Sequence, residues 1–564
     1  MSELSREQCE AVAQDLLLAY ESEDGEALQR LGRYYARGVT RDELRARVWQ
    51  RLESVRHTRR FTLDDARQLI AREAGFGNWA AFTEASGRPA AAESYAVDAA
   101  SATLRPRREL TDPEWDGLLE VMKERGIEAL DAGGQMTDAL LERVSRLEHV
   151  TRLNLGGSNR LGDDGLRHLA RMPRLQELDL SNYPGGPISD RGLEALRELK
   201  ALRRIELCWQ PGISDTGIAH LAGCDALENV NLLGTPTGDG ALRALAGKPA
   251  LRKLRTGRLV TDAGLPLLHQ FPVFEAWRGG EIRYTLLNPE AEPNQLLLDG
   301  PFTDDGLRAL TGLDGVFGLS FFWHCSAMTS RGLLSLGSLA NLGLLGCGGE
   351  LCDDEAMRTI AAIPRLRMLV AQGTVASDDG FAALSRSPSL ECLWGRECPN
   401  LTGRGFAALS RMPALRGLAV SCKNVDDAAL ATLPRFPALT ELLPMDVPDA
   451  GFHHVGGCER LESLWFMYCR DTTDAATQAI TGLERLRTYY AGKTQITDRS
   501  LELLGGMPSL EKLEFWETAH VTDAGLPALA RLPRLREVAF HGVPGVTLRG
   551  TAVFPPSARV DYSA

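Results

Sequence analysis

The chain repeats a phrase. Ile188-Ser189-Asp190-Arg191-Gly192-Leu193 returns as Ile213-Ser214-Asp215-Thr216-Gly217-Ile218, as Val260-Thr261-Asp262-Ala263-Gly264-Leu265 and as Val521-Thr522-Asp523-Ala524-Gly525-Leu526. Repetition at a short fixed period constrains a fold more than any other sequence signal. Each unit is too small to bury its own apolar face and must stack on its neighbours.

With the aspartate as a ruler, the anchors are Asp138, Asp163, Asp190, Asp215, Asp239, Asp262, Asp304, Ser330, Asp354, Asp378, Gly403, Asp427, Asp449, Asp474, Asp498, Asp523 and Leu548. The steps run from 22 to 27 residues, with one exception of 42 from Asp262 to Asp304. Between anchors the wording is also regular, as in Pro173-Arg174-Leu175-Gln176-Glu177-Leu178-Asp179-Leu180. Leu178 and Leu180 point one way from a strand while Glu177 and Asp179 point the other. After the anchor, Leu193, Leu196 and Leu199 have helical spacing and face the same core. Prolines such as Pro173, Pro364, Pro413, Pro508 and Pro533 stop the helical turn and return the chain to a strand.

These residues resemble the leucine-rich repeats over about residues 105 to 555. The resemblance implies an α/β solenoid, a horseshoe with a parallel sheet on the concave face and short helices on the convex face. Cys224 and Cys458 each stand nine places after their anchors, which is similar to the cysteine-containing subclass of F-box substrate receptors.

Residues 1–86 read as a small all-α module. Ser5 with Gln8 and Thr40 with Glu43 have capping-box spacing, and Thr62 with Asp65 is a shorter-armed variant, so about three helices start there. Ile70-Ala71-Arg72-Glu73, Gly75-Phe76 and Trp79 resemble the helical region that precedes ankyrin repeats in bacterial proteins. Residues 87–104, rich in alanine and serine, read as a linker to a repeat domain over 105–564, which opens with a capping helix from Asp112 to Lys123 around Trp115.

A formal charge of -12 argues against a nucleic-acid partner, which favours a basic face. Eleven cysteines, an odd count without metal or disulfide-framework spacing, fit a reducing cytoplasm. Neither a signal peptide nor an apolar run long enough for a bilayer is evident, and the scarcity of lysine beside arginine fits a bacterial source.

Chemistry-bearing motifs are few. His453-His454 lacks the HExxH spacing of a zinc site, Gly346-Cys347-Gly348-Gly349 lacks the Lys-Ser/Thr ending of a phosphate loop, and no serine stands in GxSxG. At the acidic anchors, a carboxylate or hydroxyl is expected to cap free backbone amides at the start of each helical turn. Cys398, Cys469, Thr374, Thr494 and Thr518 occupy the strand exit, where a small donor satisfies backbone carbonyls. No catalytic residue, cofactor site or metal site is assigned.

The concave face is read from the outward residue between two inward strand positions. Its first half is Asp131, Asn154, Asp179, Glu206, Asn231, Arg255 and Arg278. Its second is Val370, Trp394, Ala419, Leu443, Trp465, Tyr490 and Glu514, and a neighbouring column adds Phe322, Met445, Met467 and Trp516. Trp394, Leu443, Met445, Trp465, Met467, Tyr490 and Trp516 are the candidate partner-binding residues, expected to face outward, with Leu443, Trp465, Tyr490 and Trp516 forming one continuous patch. A register shift of one would return them to the core. The 42-residue step carries an irregular insertion near 279–295, to be read as a protruding loop or as a degenerate repeat. These features point to a cytoplasmic, non-enzymatic module that binds a protein or peptide, without nucleic acid or membrane. The alternative is a recognition subunit or effector of a ubiquitin-ligase-like pathway. Neither the oligomeric state nor the partner is legible.

Overall fold

The structure is a computed structural model. It describes residues 6–21, 61–73, 94–98, 101–183, 185–276, 284–286, 294–466 and 469–563, with single positions between 27 and 48 and at 79. The chain divides into two compact units, Met1–Val273 and Phe274–Ala564, parted within the 42-residue step.

The first unit opens with the helices Arg6–Glu21 and Leu63–Glu73, which bury Leu16, Leu69 and Ile70 in a cluster of their own. Thr62 and Asp65 cap the second helix reciprocally, the Thr62 amide donating to Asp65 Oδ2 at 2.9 Å and the Asp65 amide to Thr62 Oγ1 at 3.2 Å. Thr40, Glu43, Gly75 and Phe76 lie outside the described residues. The expected linker is in part a hairpin. Tyr95–Asp98 pairs antiparallel with Thr103–Pro106, which then pairs parallel with Ala129–Asp131. The reason is physical: the first strand of a parallel array has an open edge of backbone donors and acceptors, and the hairpin covers it. The capping helix runs Asp112–Arg125 with Trp115 buried. From Ala129–Asp131 onward, parallel strands continue in register through Arg152–Asn154, Glu177–Asp179, Arg204–Glu206 and Asn229–Asn231 to Lys253–Arg255. Their central residues, Leu130, Leu153, Leu178, Ile205, Val230 and Leu254, form one buried column.

The second unit repeats the pattern from Gln295–Leu298 to Arg559–Ser563 with every strand parallel to the next. Leu319, Leu345, Leu369, Leu393, Leu418, Leu442, Leu464, Tyr489, Leu513 and Val538 make its inward column. Phe466, Tyr489, Phe515 and Phe540 continue the core as a run of ring contacts, with Phe515 and Phe540 stacked at 5.4 Å.

The repeated phrase joins successive repeats. The Ser189 amide and hydroxyl donate to the two carboxylate oxygens of Asp163 at 2.7 and 2.6 Å, and Ser214 binds Asp190 in the same way. The arrangement recurs at Asp239 with Thr261, Asp304 with Thr329, Asp354 with Ser377, Asp474 with Thr497 and Asp498 with Thr522. Each hydroxyl also caps its own helix, as Ser214 does for the Thr216 amide. Of the two expected capping groups the hydroxyl therefore caps the turn of its own repeat, and the aspartate reaches the following repeat. Glycine in the phrase makes room for it: a Cβ on Gly217 would lie 2.4 Å from Asp190 Oδ1, and one on Gly192 2.5 Å from Asp163 Oδ1.

Candidate functional site

On the first unit the strand face is polar, and its column residues serve the strand exits. Asp131, Asn154, Asp179 and Asn231 each accept the amide two residues on, of Gly133, Gly156, Ser181 and Leu233, at 2.8 to 3.2 Å. Short Asx side chains satisfy backbone donors where the ladder ends. Charged neighbours complete the face, with Arg105 on Asp131 and Arg204 on Glu206.

The middle of the second unit differs. Its outward positions are Leu344, Met368 and Cys392 in one column and Val370, Trp394, Ala419 and Leu443 in the next. Leu344, Met368, Cys392, Ala419, Leu443 and Met445 are buried, and they form one cluster with Phe317, Tyr284 and Leu286. Val370, Trp394 and Trp465 pack against that cluster and remain partly exposed. The covering residues come from the insertion. Leu286 donates its amide to Glu441 Oε2 at 3.1 Å, 155 positions away in sequence. A Cβ on Gly417 would lie 2.8 Å from Leu286 Cγ, and one on Gly343 1.9 Å from Tyr284 Oη. These two glycines mark where the two side chains rest.

Along the rim runs a charge ladder. Arg367 donates to Glu391 at 2.6 Å, Arg416 donates to Glu391 at 3.2 Å and to Glu441 at 2.5 Å, and the Arg367 guanidinium stands 5.8 Å from the centre of the Tyr284 ring. The ladder thus meets Tyr284 at one end and the Leu286 amide at the other. A cation over an aromatic face and a backbone bond to a carboxylate are directional contacts, which an apolar floor alone does not supply.

The seven candidate residues separate on this geometry. Leu443, Met445 and Tyr490, expected to be exposed, are buried, at 1%, 0% and 6%. Leu443 and Met445 belong to the cluster that Tyr284 and Leu286 join. Tyr490 stacks on Trp465 at 4.9 Å and 19°. Trp394, Trp465 and Trp516 are half-buried. Trp465 Nε1 is covered and finds no acceptor among the described residues, while Lys493 Nζ stands 4.6 Å over the Trp516 ring. Met467 lies outside the described residues. Of the insertion, Tyr284 to Leu286 lie against the strand face, and residues 279–283 and 287–293 lie outside the described residues.

Leu344, Met368 and Cys392 escape both outward columns read from the sequence, because they precede the central inward residue of their strands instead of following it. A signal was available: Leu344-Leu345, Met368-Leu369-Val370 and Cys392-Leu393-Trp394 are unbroken apolar runs, the mark of a strand buried on both faces. The first-unit strands Glu177-Leu178-Asp179 and Arg204-Ile205-Glu206 alternate strictly.

At the strand exits, Cys398 donates to the Gly395 carbonyl at 3.0 Å and Cys469 to that of Pro444 at 2.7 Å, and Thr374 binds the Cys352 carbonyl. Thr494 and Thr518 depart from the expectation: their buried hydroxyls meet no acceptor among the described residues. Burial pushes the Cys398 and Cys469 thiols up to about 12, so both stay protonated at neutral pH. His453 and His454 lie beside Asp427, with the three donor groups within 4.8 Å of one another. His454 Nε2 is 2.9 Å from Asp427 Oδ1 and His453 Nδ1 contacts the Ala450 carbonyl, so hydrogen bonds account for both rings.

The strand, exit turn and short helix that recur here constitute a leucine-rich repeat, and both units are built from it. No protein-family model matches the chain. Solved structures with similar folds include an internalin of Listeria monocytogenes, 16% identical, covering 76% of this chain and 94% of its own, with a TM-score of 0.26. A leucine-rich-repeat protein of Leptospira interrogans is 12% identical, covering 77% and 95%, with a TM-score of 0.30. TLR13, solved with ssRNA13, is 16% identical, covering 73% and 65%, with a TM-score of 0.41. At such values the likeness is one of repeat architecture alone.

Proposed function

We propose that the chain is a non-enzymatic binding module that recognises a protein or peptide on the strand face of its second unit. The observation that carries this reading is the apolar floor of that face from Leu344 to Leu443, with three half-buried tryptophans, Trp394, Trp465 and Trp516, on or beside it. Rigid aromatic side chains on strands lose little rotational freedom on binding and anchor interfaces well. The described cysteines are free thiols, which supports a reducing, cytoplasmic setting. No helix among the described residues is long and apolar enough to cross a membrane.

The test is capture of host proteins by the full chain and by its Trp394→Ala/Trp516→Ala variant, compared by mass spectrometry. A partner retained by the parent and depleted at least tenfold by the variant is the expected result. Equal recovery of every captured protein by the two chains, both folded, removes this face from the reading. The alternative role, recognition on behalf of a ubiquitin-ligase-like pathway, uses the same face and is decided by the identity of the captured protein.

A further inference from the structure

The apolar floor of the second unit already holds a ligand-like segment. Tyr284 and Leu286 are both 1% exposed, while Thr285 between them is partly exposed. The two buried side chains reach floor positions three strands apart, from Gly343 beside Leu344 to Gly417, a span of about 14 Å at the usual strand spacing. A segment that runs across the strands, buries alternate side chains and donates a backbone amide to Glu441 has the contact pattern of a bound extended peptide. Nothing in the repeat itself calls for it: the strands of the first unit close the same kind of core under polar outward residues.

This inference rests on the reading of the face given above and names the chemistry of its partner. We propose that the floor from Leu344 to Leu443 is a recognition groove for an extended peptide of the pattern Tyr-x-Leu, that Tyr284-Thr285-Leu286 occupies it in cis, and that a partner bearing the pattern competes with this segment. Arg367 selects the aromatic ring, Glu441 fixes the register through the main chain, and Gly343 and Gly417 leave the depth that the two side chains fill. A tethered occupant acts at an effective concentration on the order of millimolar, so against a trans peptide of about 0.1 mM intrinsic affinity it weakens binding roughly tenfold.

The experiment uses the full chain and a fluorescein-labelled hexapeptide with the sequence of residues 282–287, Ile-Arg-Tyr-Thr-Leu-Leu. The expected result is saturable anisotropy with Tyr284→Ala/Leu286→Ala on the order of tenfold tighter than with the parent. That signal disappears when the peptide carries alanine at its tyrosine and leucine, or when Gly417→Val fills the floor. A second measurement needs no variant: excess peptide added to the parent accelerates hydrogen exchange at the Leu286 amide while the strands Leu344–Gly346 and Met368–Val370 stay protected. Exchange at Leu286 as slow as in those strands, with and without peptide, overturns the proposal and makes the segment ordinary core. So does absence of peptide binding by a folded double variant. If Trp394→Ala/Trp516→Ala nonetheless loses a host partner, the binding-face reading survives and the Tyr-x-Leu pattern does not.

Discussion

The carboxylate of Asp190 lies across a repeat boundary, with both oxygens taken by Ser214 and Gly217 facing it at a separation that admits no methyl group. Three letters of the phrase thereby express one contact: the hydroxyl donates, the carboxylate accepts and the glycine gives it room. Gly217→Ala should therefore cost about 1 to 3 kcal/mol, because the new Cβ must displace the carboxylate or shift the helix. Gly337→Ala, where a Cβ meets nothing within 4 Å, should stay within about 0.5 kcal/mol of the parent. Chemical denaturation of the two variants checks the pair. The same contacts have a pH signature. Burial raises the Asp163, Asp378 and Asp474 carboxyls, but their hydroxyl and amide donors outweigh it and hold each below the usual carboxylate value. A folded-state value below the unfolded one contributes stability that is present above the unfolded value, about 3.9, and is lost as pH falls through the folded one. Melting temperature should therefore hold from pH 7 to about 5 and fall below about 4. Asp474→Asn should be less stable at pH 7 and lose less between pH 5 and 3, as thermal melts at stepped pH will show.

A strand of this chain can be read for which side faces the repeat core, and less readily for what covers its other side. In Ser463–Phe466, Leu464 and Phe466 face inward and Trp465 outward, as the alternation implies. What it does not imply is that Tyr490 stacks on that indole and loses its exposure. Tyr490→Ala should consequently cost stability, roughly 3 kcal/mol by the usual toll for deleting a buried aromatic ring. Trp516→Ala, half-buried beside Lys493 and Glu517, should cost less than half as much. Thermal melts of the two variants side by side decide this, and equal losses would put Trp516 in the core as well. The unbroken apolar runs at Leu344, Met368 and Cys392 were the legible sign of a covered outward face. Their covering residue was not legible, because no local rule links a strand to an irregular segment many repeats away.

At the scale of the molecule, each repeat contacts its neighbours, so stability is distributed along the array and its ends need protection. The hairpin Tyr95–Asp98 with Thr103–Pro106 protects the start of the strand series in the first unit. A fragment of residues 94–564 should fold with the melting temperature of the repeats in the full chain. One of residues 107–564 should aggregate, because the strand Ala129–Asp131 then presents a bare edge. Light scattering with circular dichroism on the two fragments tests the boundary, and a monomeric, fully folded 107–564 would show the hairpin to be dispensable.

The sequence by itself determined the period, the strand–turn–helix unit and the split of each strand into inward and outward residues, since all of these follow from spacings of a few residues up to one repeat. It also displayed the Ser/Thr-Asp-x-Gly phrase, although its inter-repeat hydrogen bonds needed coordinates to be seen. Only the tertiary structure decided that Tyr95–Asp98 pairs with Thr103–Pro106, that Tyr490 is covered by its neighbour, and that Tyr284 and Leu286 occupy the apolar floor. The last of these joins Leu286 to Glu441 across 155 positions. Hydrophobic burial carries no direction along the chain, so an apolar outward face announces that something covers it and leaves the identity of that cover to the fold.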